Sequence, residues 1–117
     1  MKVMTPSEHD RSVALISHLP HIVAFSLAGA IPEKDLACAA EGFKDTTRVA
    51  SSDPYLWADI FLANKEEVIK ACRKFENSYK DILKALSAED YRGIVRALKK
   101  AKSKRDRWEK SKFGFRN

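Results

Sequence analysis

The residues best suited to chemistry fall in two polar clusters within apolar sequence. The first is His9-Asp10 with Ser17-His18-Leu19-Pro20-His21, and the second is Gly42-Phe43-Lys44-Asp45-Thr46-Thr47-Arg48 leading to Trp57. All three histidines of the chain lie within the span from His9 to His21. Arg48 is the sharpest signal. Its neighbours include Phe43, Val49 and Ala50, and a guanidinium buried among such residues needs an anion. Its planar fork of five donors matches a carboxylate in bidentate geometry. Asp45, three residues earlier on the same helical face, either holds that fork in place for a ligand or neutralises it in a structural pair. Both readings stand on chemistry alone.

The histidines do not read as a metal centre. At about 100° per residue His18 and His21 lie roughly 60° apart, whereas His9 is about 180° from His18 and about 120° from His21. No cysteine or carboxylate completes a zinc ligand set at the required spacing. The imidazoles read better as a polar wall of a ligand pocket, with two hydrogen-bonded core histidines as the bland alternative. Trp57 either packs over such a site or belongs to the core. Catalysis has no visible machinery: Ser17 and His18 diverge on a helix, and no GxSxG elbow is present. GxGxxG and GxxxxGK[ST] are also absent, so no nucleotide or dinucleotide cofactor is expected to bind this chain.

The elements that must position these residues are helices. Thr5-Pro6-Ser7-Glu8 reads as a capping box with proline at the first helical position, predicting a helix from Pro6 to about Gly29, kinked at Pro20. Pro32 restarts a short helix to about Ala40. Gly42 is the expected breaker before a segment running from Phe43 to Ala50. Asp53-Pro54 caps a short helix through Phe61. Asn64-Lys65-Glu66-Glu67 caps the next, whose apolar positions Val68, Ile69, Cys72, Phe75, Tyr79, Ile82, Leu83 and Leu86 recur at steps of three and four. Ser87 with Asp90 caps a last helix carrying Tyr91, Ile94, Val95, Leu98 and Ala101. No stretch alternates with period two. The expected fold is all-α, with five to six helices and a kinked, central first helix.

A chain of 117 residues suits one domain, expected to bury roughly two thirds of its unfolded surface. The net charge of +6 is unevenly spread. Residues 96–117 hold ten Lys or Arg against two acids, leaving the remainder slightly acidic. The basicity is thus a property of the tail, with residues 102–117 expected to be solvated or frayed. A helical nucleic-acid-binding module built on this tail is the competing class, and it leaves His21, Asp45 and Arg48 unexplained. Cys38 and Cys72 fall at apolar positions of the expected helices, where buried reduced thiols fit a reducing cytoplasm. No secretory leader is indicated. The run from Ser12 to Ile31 lacks Asp, Glu, Lys and Arg, but His18, Pro20 and His21 make a buried central helix a better reading than a membrane span. That helix is apolar around nearly its whole circumference. Burying it calls for a second copy, so an intertwined helical homodimer is expected.

The chain resembles the C-terminal helical domain of prephenate dehydrogenase along residues 8 to 108. The resemblance rests on His9-Asp10, on Ser17-His18-Leu19-Pro20-His21, on Gly42-Phe43-Lys44-Asp45-Thr46-Thr47-Arg48, and on Ser52-Asp53-Pro54 with Trp57, Asp59, Ile60 and Asn64 in order. It implies a dimerisation and substrate-binding domain for an enzyme of tyrosine biosynthesis. That enzyme removes hydride and carbon dioxide from prephenate to leave 4-hydroxyphenylpyruvate, and a close relative acts on arogenate. NAD or NADP would bind a separate N-terminal domain, supplied in cis or in trans, which also carries the catalytic histidine. This chain is then an excised domain or half of a split enzyme, inactive alone. The resemblance further implies that Arg48 grips a carboxylate of prephenate, or of tyrosine as ligand, and that Asp45 positions Arg48. His21 would line the pocket with His9 as a polar helper, and Trp57 would support the wall. The Gly42 turn would approach the site of the same or the partner subunit. Glu41 stands where many relatives carry another glycine.

Overall fold

A computed structural model describes residues 3–114, with side chains described through residue 111. Among the described residues there are helices and no strands, in agreement with the all-α expectation. Helix α1, Pro6–Val13, passes through a π-helical turn at Ala14–His18 into α2, Leu19–Ala30, so that Pro6–Ala30 is one continuous helical run. Helices α3 (Glu33–Leu36), α4 (Glu41–Thr47), a 3-10 turn (Arg48–Ser51), α5 (Pro54–Ala63), α6 (Lys65–Ser87) and α7 (Tyr91–Gly114) follow.

The helix starts are chemical. The Glu8 N–H donates to Thr5 Oγ1 at 3.1 Å while the Thr5 N–H donates to Glu8 Oε1 at 3.2 Å, completing the capping box. Asp53 Oδ1 accepts from the Tyr55 N–H at 2.9 Å, ahead of Pro54. Asp90 caps α7 by accepting from the Gly93 N–H at 2.9 Å, while its expected companion Ser87 is the last residue of α6. Between α6 and α7, Glu89 adopts φ 52°, its N–H donating to Leu86 O and that of Asp90 to Ala85 O. This is a Schellman closure with glutamate in the left-handed position usually held by glycine.

Several local expectations are corrected. Ahead of Pro20 the helix widens, the Leu19 N–H donating to the Ala14 carbonyl five residues back. A π turn is a local answer to a ring that has no N–H to donate and crowds the carbonyl four residues before it. The helix after Pro32 stops at Leu36 rather than Ala40. Gly42 is no breaker: it lies in the first turn of α4, and the chain breaks instead at extended Ala40. Cys38 is exposed in the turn after α3 and Cys72 is half-buried; neither is in a disulfide. Residues 102–114 of the basic segment continue α7, laced by Lys102–Asp106 and Arg105–Glu109 pairs, whereas 115–117 lie outside the described residues.

The chain forms two compact units, Met1–Arg73 and Lys74–Asn117. In the first, Ala14, Val68 and Ala71 form a small core flanked by Leu15, Leu19, Ile22 and Cys72. No large side chain among the described residues is fully buried. The run Pro6–Ala30 is long and apolar enough to cross a membrane by length and composition, yet only Ala14, His18 and Ala24 within it are buried in a single chain. In the second unit, α6 and α7 border an open groove of about 1130 Å³ whose lining includes Ala85, Ala97, Ala101, Lys100 and Trp108.

Candidate functional site

The site is assembled in the first unit, where α2 packs against both α4 and the 3-10 turn. The segment that carries Arg48 thus packs on the helix that carries His21. Asn64, at the end of α5, donates through Nδ2 to the Asp10 carbonyl at 2.9 Å, tying α5 to the first helical run. The Asp53 cap fixes the start of α5, so Trp57 and Phe61 fall one turn apart on one face.

Trp57 meets both histidines of the Ser17–His21 motif. His21 lies flat on its indole, with ring centroids 3.5 Å apart and planes 15° apart. His18 approaches Trp57 edge-on, at 6.2 Å and 79°, and Phe61 at 6.5 Å and 72°. Of the two imidazoles expected as hydrogen-bonded core histidines, His18 is buried with Nδ1 unpartnered, and only His21 makes a hydrogen bond through Nδ1. That nitrogen donates to the Ser17 carbonyl at 2.9 Å. A carbonyl can only accept, so Nδ1 carries the proton of the neutral ring and Nε2 keeps its lone pair. Nε2 is an acceptor when His21 is neutral and a donor when it is charged.

His18 is 8% exposed, and its Nδ1 is buried without a hydrogen-bond partner. Burial lowers its pKa from the ordinary 6.5, and the neighbouring His21 lowers it further, so the ring is neutral at pH 7. Beside the rings, Ile22, Phe25 and Ser26 of α2 and Pro54, Trp57, Ala58 and Phe61 of α5 line an apolar pocket of about 320 Å³. A flat, partly apolar ring is the shape such walls accept.

The second cluster is organised differently from the sequence expectation. Helix α4 ends at buried Thr47, whose hydroxyl donates to the Phe43 carbonyl at 2.6 Å and whose φ of −103° and ψ of 4° leave the helical region. The chain then enters the 3-10 turn, so Asp45 and Arg48 lie in different elements, one on α4 and one at the start of the turn. Both are exposed in a single chain, and no ion pair joins them among the described residues. Gly42 is also exposed, with open space where a Cβ would stand. His9 is exposed on α1, its Nδ1 3.7 Å from Asp10 Oδ1, and among the described residues no ring contact or hydrogen bond links it to His18, His21 or Trp57. The structure therefore brings His21 and Trp57 together, sets the Arg48 turn against α2, which carries His21, and leaves His9 apart. Read from the sequence, His18 has a place in the polar wall but no role of its own, and Phe61 is not singled out. The spacing of Trp57 to Phe61, one helical turn, was the available signal.

Over residues 5–100 the chain matches the family described as prephenate dehydrogenase, dimerization domain. It is 38% identical to a prephenate dehydrogenase of Bacillus subtilis over 109 residues, covering 88% of this chain but 29% of that protein. It also resembles the crystal structure of prephenate dehydrogenase from A. aeolicus in complex with hydroxyphenyl propionate and NAD+, with TM-score 0.81, 43% identity, and coverage of 91% of this chain and 39% of that one. The crystal structure of Synechocystis arogenate dehydrogenase superposes with TM-score 0.84 at 25% identity, covering 92% of this chain and 41% of that one. The chain thus spans well under half the length of these relatives.

Proposed function

The chain belongs to the prephenate dehydrogenase dimerization-domain family, and from that premise we propose that it is the dimerising, substrate-binding part of a cytoplasmic prephenate dehydrogenase. The observation that carries this reading is the His21–Trp57 stack beside an apolar pocket, on the helix against which the Arg48 turn packs. A cyclohexadiene or phenol ring bearing a carboxylate side chain matches those parts. The A. aeolicus relative was crystallised with a ligand of that chemistry.

In this reading the Arg48 guanidinium takes the substrate carboxylate in bidentate geometry. Asp45, on the last turn of α4, keeps that guanidinium in place once a partner covers the turn. His21 offers Nε2 to a polar group of the ligand, and Trp57 supplies the wall behind it. His9 and the Gly42 segment act at the rim, Gly42 toward the partner's site. Orientation is the chain's contribution, since holding a substrate in one pose lowers the entropic part of the barrier.

The A. aeolicus relative was crystallised with NAD+, and in this reading NAD or NADP is held by an N-terminal domain, in cis or in trans. Ile16, Tyr79, Leu83, Leu86 and Leu98 are 47–73% exposed in a single chain, and a second copy is what would cover them. The likeness to arogenate dehydrogenase favours a second reading, in which the substrate carries an amine where prephenate has a keto group. The test is complementation. Mixed with a matching nucleotide-binding domain, NAD and prephenate or arogenate, the chain restores NADH formation, and the preferred substrate separates the two readings. No NADH with either substrate, from two folded and associating domains, refutes the proposal.

A further inference from the structure

The plane of the Trp57 indole has to be fixed for His21 to lie flat upon it. On α5 its neighbour Phe61 is tilted, with centroids 5.6 Å apart and planes at 54°, and does not by itself clamp the ring. The facing helical run supplies two imidazoles, His18 and His21, three residues apart. His21 is half-buried, while His18 is among the most buried side chains of the first unit and stands edge-on to both Trp57 and Phe61. Edge-to-face contacts between aromatic rings are directional, because the positive ring edge seeks the negative π face. An inward nitrogen without a partner is a cost that a hydrocarbon side chain would avoid, so bulk filling alone is a poor account of a histidine here.

We propose that His18 is a positioning residue for His21: its buried ring sets the plane of the Trp57 indole, and the indole with the Ser17 carbonyl holds the His21 imidazole so that Nε2 is left for a ligand. The proposal rests on the reading of His21 as ligand-facing. Two constraints act on that ring, the 2.9 Å hydrogen bond at Nδ1 and the 3.5 Å stack. His18 controls the second. Its neutrality also suits the role, since a charge at His18 would oppose protonation of His21 beside it.

The test needs no ligand, so its failure is separate from a failure of substrate to bind. In a Trp108→Phe background Trp57 is the remaining indole. Contact with an imidazolium quenches indole fluorescence, so emission falls in acid. A His21→Gln variant shows how much of that fall belongs to His18 itself, and this part is subtracted. His18→Ala is expected to cut the remaining fall to less than half with helix content unchanged, and His18→Phe, which restores a ring edge, is expected to recover it. Full quenching in folded His18→Ala, or no recovery in folded His18→Phe, overturns the proposal. Should His18→Ala fail to fold, His18→Leu replaces it: similar quenching in the Leu and Phe variants overturns the proposal, and loss in Leu alone supports it.

Discussion

Truncating Leu83 and Leu86 on α6 is expected to separate association from folding. In one folded chain these side chains remain 47% and 59% exposed. Fully burying a leucine is worth about 1.5–3 kcal/mol, so covering the open half contributes about 0.8–1.5 kcal/mol at each position. A two-fold interface counts both positions in both copies, and alanine keeps only part of the contact. The double variant Leu83→Ala/Leu86→Ala should therefore weaken dimerisation by about 3–4 kcal/mol, or about 100- to 1000-fold in Kd. Sedimentation equilibrium over a concentration series measures this, with far-UV circular dichroism confirming that the helices persist. An unchanged association constant at unchanged helix content would show that this stripe lies outside the interface. A wild-type chain that stays monomeric at every concentration would refute the dimer.

Four further outcomes are expected. The pKa of His18 is lower folded than its ordinary 6.5, so the unfolded chain binds more protons below that value; its stabilising contribution is complete above pH 6.5 and is lost as pH falls toward the lowered value. Denaturant melts across that window should show stability declining with acidity, and His18→Phe should flatten the decline. Arg48→Ala in the reconstituted enzyme should raise the substrate KM with helix content intact, by about 30-fold or more if a buried charge partner worth about 2–5 kcal/mol is removed; unchanged kinetics would deny Arg48 a role in binding. Asp53→Ala removes the α5 cap and should cost about 1 kcal/mol in chemical denaturation. Glu89→Gly relieves the left-handed residue between α6 and α7 and should stabilise the chain by about 1 kcal/mol, an effect absent if the turn does not hold φ 52°.

What the sequence determined by itself is local. Thr5 with Glu8, Asp53 with Pro54, and Asp90 announce helix starts because a cap is satisfied by backbone N–H groups two or three residues away. The α6 spacing needs nothing but the helical period. Even locally the rules leave choices open: Gly42 suits a helix as well as a break, and the end of α4 at Thr47 rather than a longer helix put Asp45 and Arg48 in different elements. Tertiary structure alone decided the rest. That His21 would lie on Trp57, thirty-six positions later in the chain, depends on how α5 docks against the first helical run, which the Asn64 to Asp10 hydrogen bond and the packing of the rings settle together. Caps and periods act over one turn of chain. Ring planes, an inward nitrogen and the direction of a guanidinium answer to surfaces brought together from distant parts of it.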